Sequence, residues 1–140
     1  MHLYLQCPTG ISGDMFLGAM ADLGLDLHPL AEALREAGLD VGIASKSGRC
    51  CGLQGTKVEI IPGGSAQPLR TMEHIRPLIQ ATAFSSSVKT KAEQAVERLA
   101  RVEAEVHGMP VSQVHFHEVG GVDTLTDILG CFWALEALEV

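Results

Sequence analysis

Basic residues are scarce in this chain. Ten lysines and arginines stand against 17 aspartates and glutamates, which gives a net charge of −7 over 140 residues. No stretch concentrates the positive charge that nucleic acid or an anionic membrane surface requires, so the composition argues against both partners. No apolar run approaches the ~20 residues of a membrane span. An anionic ligand would have to be met by backbone amides, a metal or one of the few arginines.

A secretion signal and a disulfide framework are also lacking. The N-terminus has no basic region followed by an apolar run and a cleavage site. The cysteines show no Cys-x-x-Cys spacing and include a vicinal pair, which rarely forms a structural disulfide; they are Cys7, Cys50, Cys51 and Cys131. We therefore expect free thiols and a cytoplasmic location, because the cytosol is reducing.

The hydrophobic content of 46% predicts one folded domain over residues 1–140. The apolar periodicities predict an α+β fold, with a small three-stranded sheet covered by about five helices. Strands are expected at residues 3–7, 41–47 and 53–61, and helices at residues 13–23, 28–37, 69–83, 88–107 and 123–140.

Three details of the helices are expected from the sequence. The interior Pro77 should kink or split the third helix, at a cost of ~3 kcal/mol. The first helix should bury Met15 and Leu23 and be capped by Ser12. The fourth helix should bury an apolar seam made of Ala92, Ala95, Val96, Leu99, Val102 and Val106.

Two histidines stand on either side of one aromatic residue near the C-terminal end. His115, Phe116 and His117 alternate polar and apolar, so an extended backbone would point both imidazoles to one face and Phe116 into the core. A glycine turn and a helix follow, on which Asp123 and Asp127 lie one turn apart. Imidazoles and carboxylates that converge at such a junction can bind a divalent metal or exchange protons.

Structural alternatives exist for each of these groups. Asp123 could act only as a helix N-cap, and Asp127 only as an acid near the positive end of the helix dipole. On the preceding helix, Glu103 and His107 are also one turn apart and could share a metal with His115. A histidine in the last turn of a helix is equally explained by the negative end of the dipole.

A glycine loop follows the first predicted strand. Gly10, Ser12 and Gly13 stand at a helix N-terminus, where backbone amides can bind the phosphate of a cofactor. The lysine of a P-loop is missing, and Asp14 places a carboxylate where an anion would lie. The alternative is a simple tight turn. If the loop is instead functional, we expect Asp14 to face the same cleft as the histidines.

Four segments resemble a known family. They are Thr9–Ala19, Gly55–Val58, Glu105–Gly108 and Val114–Thr124. In this order they resemble the N-terminal domain of the LarC family, over essentially the whole chain. The resemblance implies nickel insertion into pyridinium-3,5-bisthiocarboxylic acid mononucleotide during nickel-pincer cofactor biosynthesis. It also implies a CTP-dependent lyase that uses Mn²⁺ or Mg²⁺, whose CTP-binding C-terminal domain this chain lacks.

The resemblance and the residue types together predict a set of site residues. We expect metal ligands at His107, His115, His117, Asp123 and Asp127, catalytic groups at Asp14 and Glu118, and cofactor contacts at Gly10, Ser12 and Gly13. Family members often carry a histidine-rich run where this chain has residues 63–70, which contain no histidine. Nickel would therefore depend on the other imidazoles and the carboxylates.

Two other functions remain open at this stage. The domain could be a metal-binding scaffold that presents substrate to a C-terminal LarC domain, or a metal-dependent hydrolase of a phosphorylated small molecule. Nickel binding without turnover would favour the scaffold, and phosphate release would favour the hydrolase. The apolar last helix predicts either a continued chain or a homo-oligomer.

Overall fold

The computed structural model describes residues 1–50, 52–64, 71–116 and 121–140, without the side chain of Cys50. Within these ranges it confirms an α+β domain with five helices. The helices are α1 (Gly13–Asp22), α2 (His28–Glu36), α3 (Met72–Ala81), α4 (Ser86–His107) and α5 (Val122–Ala137). The strands are β1 (Val41–Cys50) and β2 (Leu53–Pro62), and Val111–Gln113 form a single 3₁₀ turn.

The sheet has two strands in the described part of the chain, and the three-stranded prediction is wrong there. β1 and β2 are antiparallel, with Val41 opposite Pro62 and Cys50 opposite Leu53. Residues 3–7 form no strand, and the side chain of Tyr4 is 85% exposed. An apolar run becomes a strand only where its backbone pairs with a neighbour, and no described backbone bond joins this segment to the hairpin.

Helix α1 lies directly against β2 and α5, and this contact positions the site. A Cβ atom at Gly18 would stand 2.4 Å from the carbonyl oxygen of Thr56, so only glycine allows this approach. The carboxylate of Asp22 accepts a hydrogen bond from the Thr56 backbone amide at 3.1 Å. The largest fully buried side chains around this contact include Leu17, Met20, Leu30, Val58, Leu125 and Leu129.

Pro77 does not split α3, which runs without interruption from Met72 to Ala81. Ile75 and Ile79, on either side of the proline, are completely buried. Their burial stabilises the helical backbone that the proline alone would weaken, since each buried isoleucine contributes about 1.5–3 kcal/mol. Thr71 and His74 form a capping box at the start of the helix.

The apolar seam of α4 is buried over its first part only. Val88, Ala92, Val96 and Ala100 are at most 1% exposed, whereas Val102 is 53% and Val106 75% exposed. The prediction that these two valines are buried is therefore wrong. The buried residues of α4 repeat every four positions as far as Ala104, which is 6% exposed, so the two valines lie on another side of the helix.

Two apolar residues of α1 are also more exposed than expected. Met15 is 58% exposed and Leu23 55%, although both follow the apolar periodicity of the helix. Periodicity indicates which residues share one side of a helix, but the neighbouring elements decide how much of that side is covered. Phe16 and Met20 are buried as expected.

Candidate functional site

Three carboxylates from two helices line one cavity. Asp14 belongs to the first turn of α1, and Asp123 to the first turn of α5, with Asp127 one turn later. The cavity has a volume of about 390 Å³, and Lys57 and Glu59 of β2 line its other side. The three acids meet because α1 and α5 pack side by side.

The N-terminus of α1 is in direct contact with Asp127. A Cβ atom at Gly13 would stand 2.2 Å from Cγ of Asp127, so no other residue fits there without rearrangement. Ser12 occupies the N-cap position, but its side chain does not cap the helix as predicted. The Ser12 hydroxyl donates instead to the carboxylate of Asp14, which also accepts from the Met15 backbone amide at 2.9 Å.

The environment of Asp127 disfavours its negative charge. Burial, together with the smaller effects of the charges of Asp14 and Asp123, raises the pKa of Asp127 to about 6. Its Oδ1 atom is shielded from solvent and has no hydrogen-bond partner among the described residues. A cation in this cavity would satisfy that oxygen and relieve the repulsion between the three acids.

The nearest described cation is already engaged by another acid. The ammonium of Lys57 lies 3.2 Å from Oε1 of Glu59, and that of Lys46 lies 2.8 Å from Oε2. Hydrogen bonds from Lys46 and then from Lys57 lower the pKa of Glu59. Since Lys57 is paired with Glu59, it leaves the three aspartates of the cavity uncompensated.

The histidines lie in a different place. His107 and His115 line a small cavity of about 80 Å³ together with Met109 and Gln113. Nε2 of His107 is 3.2 Å from Oε2 of Glu103, so the predicted pair one turn apart is present. His115 does not line the acidic cavity. The described members of the predicted joint site thus line two different cavities, and the joint site stays a prediction.

Several predictions for the site can be placed on the structure. Phe116 is buried, as the alternation of the segment predicted. Asp123 is not the N-cap of α5, because the helix begins at Val122 with Gly121 in the cap position. Within the described ranges, no group of three or more histidine, cysteine, aspartate or glutamate residues is arranged to hold a metal ion. His117 and Glu118 lie outside those ranges.

The glycine loop before α1 has the geometry of a tight turn. Gly10 adopts a φ of 92°, and its backbone amide donates to the carbonyl of Cys7 at 3.1 Å. Asp14 and Asp127 occupy the N-terminal end of α1, where a phosphate would have to lie. Cofactor binding by Gly10, Ser12 and Gly13 stays a prediction.

The two cysteines whose side chains are described, Cys7 and Cys131, are free thiols, as predicted. Burial raises the pKa of Cys131 to about 12, with a smaller contribution from the charge of Asp127. Cys51 and the side chain of Cys50 lie outside the described structure.

Sequence reasoning missed Lys57 and Glu59 as neighbours of the site. Both alternate with buried Val58 on β2 and face the three aspartates. The Gly55–Val58 segment contributed only to the family resemblance, although it contains Lys57. A charged residue inside a motif shared with a family was the available signal.

An α+β domain that offers a carboxylate cavity and a pair of nearby imidazoles has the donor groups of a metal-handling protein. Residues 3–140 match the nickel insertion protein family, and the chain belongs to that family.

Relatives named for nickel insertion match nearly all of the chain. The protein of Thermomicrobium roseum is 43% identical over 98% of this chain and 34% of its own length. The protein of Dictyoglomus thermophilum is 38% identical over 99% of this chain and 36% of its own length. The chain thus spans about a third of the length of these relatives. No solved structure matches it.

No helix in the described part of the chain is long and apolar enough to cross a membrane.

Proposed function

We propose that this chain is the nickel-handling part of a protein that inserts nickel into pyridinium-3,5-bisthiocarboxylic acid mononucleotide, in the cytoplasm. Membership of the nickel insertion family supports the nickel role, and the resemblance to LarC supports the substrate. The observation that carries the proposal is the cavity of Asp14, Asp123 and Asp127. Oδ1 of Asp127 in this cavity has no hydrogen-bond partner among the described residues, and a divalent cation would supply one.

The two kinds of donor group are proposed to bind different metal ions. Imidazole nitrogens suit Ni²⁺, so His107 and His115, together with His117, are the proposed ligands for the incoming nickel. Carboxylate oxygens suit Mg²⁺ and Mn²⁺, so Asp123 and Asp127 are the proposed ligands of the divalent metal that the family resemblance implies. This division follows from the two separate cavities that the described residues form.

Asp14 and Glu118 are the proposed acid–base groups. The Ser12 hydroxyl and the Met15 amide both donate to Asp14 and hold its carboxylate in place at the start of α1. CTP does not fit the described residues, because the helix end that would bind phosphate carries Asp14 and Asp127. We assign CTP binding and completion of the reaction to the other two thirds of the family protein.

Calorimetric titration with Ni²⁺ tests the nickel ligands. We expect the double variants His107→Ala/His115→Ala and His115→Ala/His117→Ala to bind nickel far more weakly, since each lost ligand removes a coordinate bond. Binding by the wild type should fade below pH ~6.5, where imidazole becomes protonated.

A matched control is available on α2. His28 pairs with Glu32 one turn away, as His107 does with Glu103, but it is remote from both cavities. His28→Ala should bind nickel as the wild type does. Equal nickel affinity in all variants would contradict the proposal, and phosphate release by the isolated chain would favour a hydrolase instead.

A further inference from the structure

The C-terminal end of α4 carries an apolar surface that the described domain does not cover. Val102 and Val106 lie one turn apart and form a continuous ridge on the helix. Met109 and Val111 follow within five residues, at 37% and 42% exposed. We call these four residues the α4-end surface. On the same side of the preceding turns, Ala95 and Leu99 are partly buried.

This surface differs from ordinary scattered exposure. Single exposed apolar residues are normal, but four of them within ten residues, with a polar rim, indicate an interaction site. Arg101 and Glu105 are exposed beside the ridge and supply such a rim. Arg101 and Val111 also line a cavity of about 340 Å³, which offers room for an anchoring side chain of a partner.

We propose that the α4-end surface binds the remaining two thirds of the nickel insertion protein. The relatives named for nickel insertion carry that additional chain, since this domain matches only 34–36% of their length. A second copy of this domain fits less well. The surface includes Glu105 next to Glu103, and the chain carries a net charge of −7, so two facing copies would repel each other.

The position of this surface has a consequence for the nickel ligands. Glu103 and His107 lie on the same two turns of α4 as Val102 and Val106. A partner bound to the valines would therefore bring its own groups next to His107. This part of the inference rests on the proposed function.

Labelling of an introduced thiol tests the contact directly. Two proteins that carry Val106→Cys are compared. The first is the isolated chain, and the second is a chimera in which this chain replaces the matched third of the Thermomicrobium roseum relative. We expect iodoacetamide to label that thiol ~10-fold more slowly in the chimera, because the partner covers it. Mass spectrometry separates this site from the native cysteines.

Two further variants keep the test specific. Leu23→Cys, at an exposed leucine on α1, should be labelled at the same rate in both proteins. Adding Val102→Asp to the chimera should restore fast labelling of Val106→Cys, while circular dichroism of the isolated chain with Val102→Asp should remain unchanged.

Two results would overturn the inference. One is an equal labelling rate of Val106→Cys in the isolated chain and the chimera. The other is a dimer of the isolated chain in sedimentation that Val102→Asp dissociates, because a second copy would then be the occupant. The labelling requires no nickel, so its outcome is independent of the histidine titrations.

Discussion

The carboxyl group of Asp127 lies where a side chain on Gly13 would begin, with Cγ 2.2 Å from that Cβ position. This contact joins the first turn of α1 to the second turn of α5. Because Cβ of Asp127 is also within 2.4 Å of the same position, the contact involves the base of the side chain and not a flexible end. The two helices that line the acidic cavity, α1 and α5, therefore cannot move apart without losing this packing contact.

A methyl group at Gly13 should destabilise the domain. We expect Gly13→Ala to lower the free energy of unfolding by about 1–3 kcal/mol, the usual cost of overpacking, despite the better helix propensity of alanine. Urea denaturation followed by circular dichroism measures this change. Gly48→Ala is the control, since Gly48 has an ordinary φ and no atom within 4 Å of its Cβ position. Equal losses in both variants would contradict the contact.

The raised pKa of Asp127 predicts a pH dependence of stability in a chelating buffer. The folded state holds this proton up to pH about 6, whereas the unfolded state releases it near 3.8. The contribution of Asp127 to the free energy of unfolding is therefore present at low pH and is lost as pH rises from about 4 to about 6.

Asp127→Asn should remove this dependence. At neutral pH the variant should be more stable than the wild type by about 1 kcal/mol, a value reduced for the partial exposure of the group. The difference should vanish near pH ~4, where the wild-type carboxyl is also neutral. Thermal unfolding at both pH values measures it. If the difference in stability between the two proteins does not change with pH, charge repulsion in the cavity is not its cause.

Divalent cations should stabilise the domain through the carboxylates. We expect Mn²⁺ to raise the melting temperature of the wild type at neutral pH, because a ligand that binds only the folded state stabilises it. The increase should be lost in the double variant Asp123→Asn/Asp127→Asn and retained in His115→Ala. Differential scanning fluorimetry with and without EDTA provides the comparison. Loss of the increase in His115→Ala would instead indicate one joint site.

The two described cysteines should differ in reactivity. Cys7 is exposed, whereas burial and the charge of Asp127 raise the pKa of Cys131 to about 12. Only the thiolate reacts, so near neutral pH we expect iodoacetamide to modify Cys7 at least ~10-fold faster than Cys131. Peptide mass spectrometry resolves the two sites. In urea the two rates should become similar, which separates the effect of burial from any intrinsic difference.

Much of the local structure could be predicted from the sequence. Helix ends follow from residues with special backbone properties, such as Gly108, which adopts a φ of 63° after α4. The alternation around Phe116 correctly placed that ring in the core. The resemblance of four short segments correctly indicated the nickel insertion family. Each of these inferences depends on interactions within a few residues or on a pattern shared with relatives.

Other features depended on contacts between distant segments. Whether residues 3–7 join the sheet depends on a partner strand, and the exposure of Val106 depends on which side of α4 faces the rest of the domain. The separation of His115 from the acidic cavity depends on how the chain folds back between α4 and α5.

The sequence by itself determined the five helices, the hairpin, the family and the chemical types of the candidate ligands, because periodicity, caps and motifs act over short distances. Only the tertiary structure decided that Asp14 and Asp127 share a cavity. They are more than a hundred residues apart in the chain, and they meet through the packing of α1 on α5. The raised pKa of Asp127 has the same origin, since burial and neighbouring charges exist only after the chain has folded.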